Sequence, residues 1–175
     1  MLSRENLLTN TWYPVIITDN PVGIMNIMKL TTKMRYATRA MLELALHEQE
    51  TQPLSLRDIA HNENISIKYL EVLLSMLRSA GFIRSVRGAA GGYKLAKHPS
   101  EIALRQLYEL FEGSDGFVAC TTDNTICERC KDCAAQSVWS EMFLVTMRYL
   151  ESITLADLVE RDELLHRQAK LMYDI

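Results

Sequence analysis

Two adjoining runs decide the fold: Ser55-Leu-Arg-Asp-Ile-Ala-His-Asn-Glu-Asn-Ile-Ser-Ile-Lys-Tyr-Leu-Glu-Val-Leu-Leu-Ser-Met-Leu-Arg-Ser-Ala-Gly81 and Phe82-Ile-Arg-Ser-Val-Arg-Gly-Ala-Ala-Gly-Gly-Tyr-Lys-Leu95. Ser55 and Asp58 stand at capping-box spacing, which opens a short helix with Leu56, Ile59 and Ala60 on its apolar face. Asn62-Glu63-Asn64 reads as a turn. A second helix starts at Ser66 and ends near Ala80, with Gly81 as its stop. Leu70, Leu73, Leu74 and Leu77 form its buried stripe, and Lys68, Glu71, Val72, Ser75 and Arg78 point the other way. Short helix, tight turn and longer helix make a helix-turn-helix, although any two packed helices would satisfy the spacing alone. The residues after Gly81 favour the helix-turn-helix. Phe82 to Val86 and Tyr93 to Leu95 read as two strands joined by the glycine-rich turn at 87–92. The predicted unit is a winged helix, with Arg84, Arg87, Lys94 and Lys97 carrying positive charge on the wing. A phosphate-cradling enzyme loop fits poorly, because no helix follows the glycines.

On the N-terminal side, Met34, Ala37, Met41, Leu44 and Ala45 predict a preceding helix, capped by Thr31 or Thr32 and running to about Glu48. Gln49 to Pro53 form a turn. Residues 1–27 lack periodicity and are expected to be a loose arm, or an artefact if Met28 is the true start. After the wing, a helix opens at Ser100 or Glu101, buries Leu104, Leu107, Leu110 and Phe111, and stops at Gly113. The longest helix spans Ala134 to Ser152 and carries two apolar stripes. One is Val138, Met142, Val145 and Tyr149; the other is Trp139, Phe143, Met147 and Leu150. One stripe can face its own domain, and a second copy of the chain is the simplest cover for the other. Thr154 and Asp157 open a short helix over Leu155, Leu158 and Val159 that should pack back on the long one. The tail from Glu160 to Ile175, with Leu164, Leu165, Leu171 and Met172, is read as a mobile helix. The expected organisation is therefore an arm (1–27), a DNA-binding domain (28–112), a cysteine loop (113–133), and a dimerisation helix with tail (134–175). The fold class is mainly α with one small β-hairpin.

Charge divides unevenly along the chain. Residues 28–100 hold eleven Lys or Arg against six Asp or Glu, and residues 101–175 hold seven against fourteen. The first part suits a polyanion. No stretch approaches the ~20 apolar residues of a membrane span, and Val15-Ile16-Ile17 is too short for a signal-peptide core. The expected location is the cytoplasm, with no membrane partner.

All four cysteines fall at Cys120, Cys127, Cys130 and Cys133. Such a cluster is a disulfide staple, a zinc site or an iron–sulfur site, and a reducing cytoplasm disfavours the staple. The overlapping Cys127/Cys130 and Cys130/Cys133 pairs also suit a reversible thiol–disulfide switch. A small cysteine-dependent redox enzyme is the reading from another class. No cofactor loop, triad or carboxylate pair accompanies the thiols, and His47, His61, His98 and His166 are scattered.

Three motifs carry a family resemblance: Met28-Lys-Leu-Thr-Thr-Lys-Met-Arg-Tyr-Ala37, Ile65-Ser-Ile-Lys-Tyr-Leu-Glu71 and Val86-Arg-Gly-Ala-Ala-Gly-Gly-Tyr93. With Ile153-Thr-Leu-Ala-Asp-Leu158, they resemble the IscR/NsrR/CymR family of bacterial winged-helix repressors, over Met28 to about Val159. The resemblance implies a homodimer on palindromic double-stranded operator DNA, a regulator and not an enzyme. Its implied DNA-facing set is Lys68, Tyr69, Glu71, Val72, Ser75 and Arg78, with Arg87 on the wing and Arg35 on the first helix. It also implies a two-iron or four-iron cluster, with zinc or no metal as alternatives. In the IscR-like branch three cysteines bind the cluster, which here correspond to Cys120, Cys127 and Cys133. The first gap is one residue longer in this chain, Gln136 stands where that branch has histidine, and Cys130 is an extra thiol available as fourth ligand or redox partner.

Overall fold

The computed structural model describes residues 30–173, apart from Ala89 and Asn124. The predicted arm at 1–27 lies outside these residues. The first helix, α1 (Thr32–Leu46), is capped by Thr31, whose hydroxyl accepts from the Met34 N–H at 3.3 Å. Its buried face joins Ala40 and Glu43 to the five residues predicted from periodicity, and the Glu43 carboxylate accepts from the Asn62 amide at 2.6 Å. Next come α2 (Leu56–Asn62), capped by Ser55, and α3 (Ile67–Ser79), capped by Ser66. The Asp58 carboxylate accepts from the Ser55 hydroxyl at 2.6 Å. All four leucines of the α3 stripe have zero exposure. The helix closes in a Schellman pair: Phe82 N–H bonds the Leu77 carbonyl and Gly81 N–H the Arg78 carbonyl, both at 3.0 Å. Gly81 takes φ +77°, where a side chain would be strained.

The wing is an antiparallel pair, β1 (Ile83–Val86) and β2 (Gly92–Leu95), with Ile83 opposite Leu95 and Val86 opposite Gly92. A further contact was not legible in the sequence. Leu54, just before α2, exchanges backbone hydrogen bonds with Tyr93 at 3.2 and 2.8 Å, tying the wing to the entry of the helix-turn-helix. Gly92 permits this approach, since a Cβ there would lie 2.1 Å from the Leu54 carbonyl oxygen.

Three expectations need correction. The helix placed at Ser100 or Glu101 begins later, as α4 (Leu104–Glu112). Residues Pro99–Glu101 make a single 3-10 turn capped by His98, and Ile102 then extends into the core with zero exposure. Burying Ile102 pairs its segment with the strand-like entry to the last helix: Leu104 N–H bonds the Ile153 carbonyl and Leu155 N–H the Ile102 carbonyl, both at 2.9 Å. Second, the short helix and separate tail are one helix, α6 (Leu155–Tyr173), whose main packing is on α1 and the Pro99–Glu101 turn. The capping box that starts it is present, with Thr154 N–H to Asp157 Oδ2 at 2.7 Å and Asp157 N–H to Thr154 Oγ1 at 3.3 Å. Third, the inner stripe of the long helix, α5 (Ala134–Glu151), is shorter than predicted. Met147 is buried and Phe143 and Leu150 pack on the core, but Trp139 is 41% exposed. The outer stripe of Val138, Met142, Val145 and Tyr149 is exposed throughout. Among the described residues, no helix is long and apolar enough to cross a membrane.

Candidate nucleic-acid interface and cysteine loop

Burying the leucine stripe of α3 turns its opposite side outward. Lys68, Glu71, Val72, Ser75 and Arg78 are all exposed, as is Arg87 at the wing. Lys68, Glu71, Arg78 and Arg87 form no hydrogen bond or ion pair with the described residues, so their charges are available to an outside partner. Tyr69 differs. It is half-buried, with its ring edge-on to Tyr36 of α1 at 6.0 Å. Arg35 is exposed and its guanidinium stands 5.9 Å from the Tyr36 ring. Two of the four wing cations already have partners in the chain. Lys94 Nζ donates to the Glu50 carbonyl at 2.5 Å, and Lys97 Nζ lies 5.9 Å from the Phe82 ring.

Sequence reasoning missed the clamp that sets α3 against α1. Arg39 Nε meets Glu63 Oε2 at 2.6 Å, its second nitrogen donates to the Glu63 carbonyl, and its guanidinium stands 5.6 Å from the Tyr36 ring. This holds the turn in which Asn64 adopts φ +50°. The partners are 24 positions apart and on different elements, so no spacing rule reveals them. Ile67, in the first turn of α3, is 48% exposed despite its apolar type.

The cysteine loop is built differently. It is stitched by short polar bonds: Gly116 N–H to Thr122 Oγ1 at 3.1 Å, Thr121 hydroxyl to the Val118 carbonyl at 2.7 Å, and Thr125 hydroxyl to Asp123 Oδ1 at 2.6 Å. The Thr125 hydroxyl and N–H hold the Asp123 carboxyl below its usual range. Phe117 anchors the loop to α5 by an edge-on contact with Phe143 at 5.2 Å. No cysteine is in a disulfide; Cys127 is exposed, Cys120 and Cys133 half-buried, and Cys130 only 5% exposed. Burial pushes the Cys130 thiol up, and the neighbouring Cys127 and Cys120 add to this. Cys130 Sγ lies 3.9 Å from the Cys120 carbonyl oxygen. Gln136, in the first turn of α5, donates to that same carbonyl at 2.6 Å. Among the described residues, no three His, Cys, Asp or Glu side chains converge as a metal site. The donor types, four thiols outside any disulfide on one loop, are those of thiolate ligation.

The two regions meet where α4 packs on α1, and a bond at the end of α4 adds to that packing. Glu112, the last residue of α4 and the stem of the loop, accepts the Thr31 N–H through Oε1 at 2.8 Å. Thr31 caps α1, and α1 carries Tyr36 against Tyr69 of α3.

A family profile described as "Rrf2: Iron-dependent Transcriptional regulator" matches residues 30–161. The protein rrf2 of Nitratidesulfovibrio vulgaris is 41% identical over 142 residues, covering 81% of this chain and 94% of its own. The HTH-type transcriptional regulator IscR of Serratia proteamaculans is 40% identical over 138 residues, covering 79% and 83%. Among solved structures, CymR, the global cysteine regulator of B. subtilis, superposes with a TM-score of 0.66 at 36% identity, covering 77% of this chain and 98% of that one. IscR of T. potens gives 0.63 at 37% identity, covering 77% and 88%.

Proposed function

The chain belongs to the Rrf2 family of DNA-binding transcriptional regulators, and we propose that within it this protein is a homodimeric repressor whose operator binding is governed by an iron–sulfur cluster on the cysteine loop. The observation that carries this reading is the Glu112–Thr31 bond, which connects the stem of that loop to the helix supporting α3. A change in the loop therefore has a short path to the side chains that meet DNA.

On the DNA side, Glu71 can accept from a cytosine amino group and Lys68 can serve guanine or phosphate. Val72 offers only apolar contact, such as a thymine methyl. Ser75, Arg78 and Arg87 suit backbone phosphates, and Arg35 and Tyr69 flank the same surface. The exposed outer stripe of α5 is the natural face for the second copy. Pairing would set two recognition helices about one helical turn of DNA apart, roughly 34 Å.

Cys120, Cys127 and Cys133 would hold the cluster, with Cys130 as fourth thiolate. Gln136 is a positioning residue in this reading, because its amide nitrogen already serves the Cys120 carbonyl. When bound, the cluster supplies sensitivity to oxidants, nitric oxide or iron supply. The residues themselves keep Cys130 out of water and fix the backbone of Cys120 against α5.

The test is the visible spectrum with iron, sulfide and zinc content of protein purified without oxygen, followed by Cys130→Ala and Gln136→Ala. A brown protein containing iron and sulfide is expected. Cys130→Ala should lose iron, and Gln136→Ala should retain it but release it faster. A colourless protein with stoichiometric zinc, or with no metal after reconstitution, contradicts the cluster and leaves a zinc or thiol switch on the same fold.

A further inference from the structure

We propose that the cavity between the C-terminal end of α1 and the base of the wing binds a small zwitterion, an α-amino acid. The cavity measures about 200 Å³ and is walled by apolar Leu44, Leu54 and Leu95. Its titratable lining is His47 and Glu48 from the end of α1, and Arg84, Tyr93 and Lys94 from the two wing strands. Two of these are engaged: Lys94 with the Glu50 carbonyl, and His47 through Nδ1 with the Glu43 carbonyl at 2.9 Å. Arg84 has no hydrogen-bond or ion-pair partner among the described residues. An unpaired guanidinium on a cavity wall presents a planar fork of donors, which matches a carboxylate.

The opposite wall asks for positive charge. Glu48 approaches only His98, at 3.9 Å, too far for a hydrogen bond. The carbonyls at this end of α1 already have donors in His47 and Lys94, which leaves the Glu48 carboxylate as the unmet acceptor. A simple anion would satisfy Arg84 and leave Glu48 opposed to it. A simple cation would have the reverse fault. A molecule with a carboxylate and an ammonium one carbon apart satisfies both walls and leaves its side chain for the leucines. Such a ligand would bridge α1 and β1, fixing the wing relative to the helices. The binding site itself does not depend on the regulatory reading; its effect on DNA does.

The experiment is thermal melting of the full-length protein against each proteinogenic L-amino acid, with acetate and methylammonium as half-ligands. At least one amino acid should raise Tm by about 3 °C at about ten times its Kd, and neither half-ligand should do so. Arg84→Ala and Glu48→Gln should each abolish the rise, while Arg87→Ala, further along the wing, should keep it. The melting curve of each variant without ligand reports whether it is folded. The proposal is overturned if no amino acid raises Tm, if the rise survives in both variants, or if acetate alone reproduces it. The melt involves neither DNA nor metal, so its failure is distinguishable from failure of the regulatory reading.

Discussion

The helix-turn-helix and the cysteine loop are held by different physics. From α1 through α3, Met41, Ile59, Leu70, Leu73, Leu74 and Leu77 are fully buried. Across residues 113–133, Cys130 is the one buried residue among those described. Apolar packing sets the shape of the reading surface. The loop rests on local polar bonds, one aromatic contact and the Gln136 bridge, so its geometry is inexpensive to change. Under the proposed control, the loop is the part that changes and the packed helices carry that change as a body.

Substitutions in each region put the contrast at risk. Leu74→Ala should have the largest effect, losing about 2–5 kcal/mol of stability because a fully buried side chain leaves a cavity; urea unfolding followed by circular dichroism measures it. A loss under about 1 kcal/mol, well below the usual range for such a truncation, would mean that the α3 stripe is not the structural base of the reading surface. Gly92→Ala should cost about 1–3 kcal/mol, since the added Cβ forces apart the Leu54–Tyr93 backbone pair. DNA affinity, read by fluorescence anisotropy, should fall with it as the wing detaches. Ser66→Ala removes the cap that accepts from the Tyr69 N–H at 3.3 Å and should cost about 1 kcal/mol in the same unfolding assay. Cys127→Ala, in the exposed part of the loop, should leave the stability of metal-free protein within about 0.5 kcal/mol. A loss as large as that of Leu74→Ala would erase the contrast.

A last, smaller effect lies at the start of α6. The Thr154 hydroxyl and backbone N–H hold the Asp157 carboxyl below its ordinary value of 3.8. Its folded pKa is thus below its unfolded one. The resulting stability is complete above the unfolded value and is lost as pH falls through the folded value. The stability gap between wild type and Asp157→Asn should therefore shrink from about pH 6 to about pH 3. A gap that is independent of pH would contradict the hydrogen-bonded carboxylate.

The parts legible in the sequence were those set by periodicity and caps. Leucines three and four apart on α3, Ser66 before them and Gly81 after them state a helix and its ends locally. The exposed side of α3 followed from the same pattern. The later start of α4 was hidden because Ile102 is drawn into the core by a partner segment about fifty residues away, near Ile153. The Arg39–Glu63 clamp, the Leu54–Tyr93 pair and the Glu112–Thr31 bond escaped for the same reason: each joins positions with no fixed spacing. In the loop, the cysteine pattern disclosed the donor chemistry. The role of Gln136 needed its side-chain direction, since an amide near thiols could have been a ligand or a brace.

Control of the reading surface by the cysteine loop is best tested by fluorescence anisotropy on DNA from the protein's own promoter, using anaerobic protein reconstituted with iron and sulfide, before and after treatment with a chelator. If the loop exerts that control, the apparent Kd changes at least about tenfold, roughly 1.4 kcal/mol, and Glu112→Gln, which weakens the bond to Thr31, reduces the change without removing the metal. An affinity that is the same with and without the metal would contradict it.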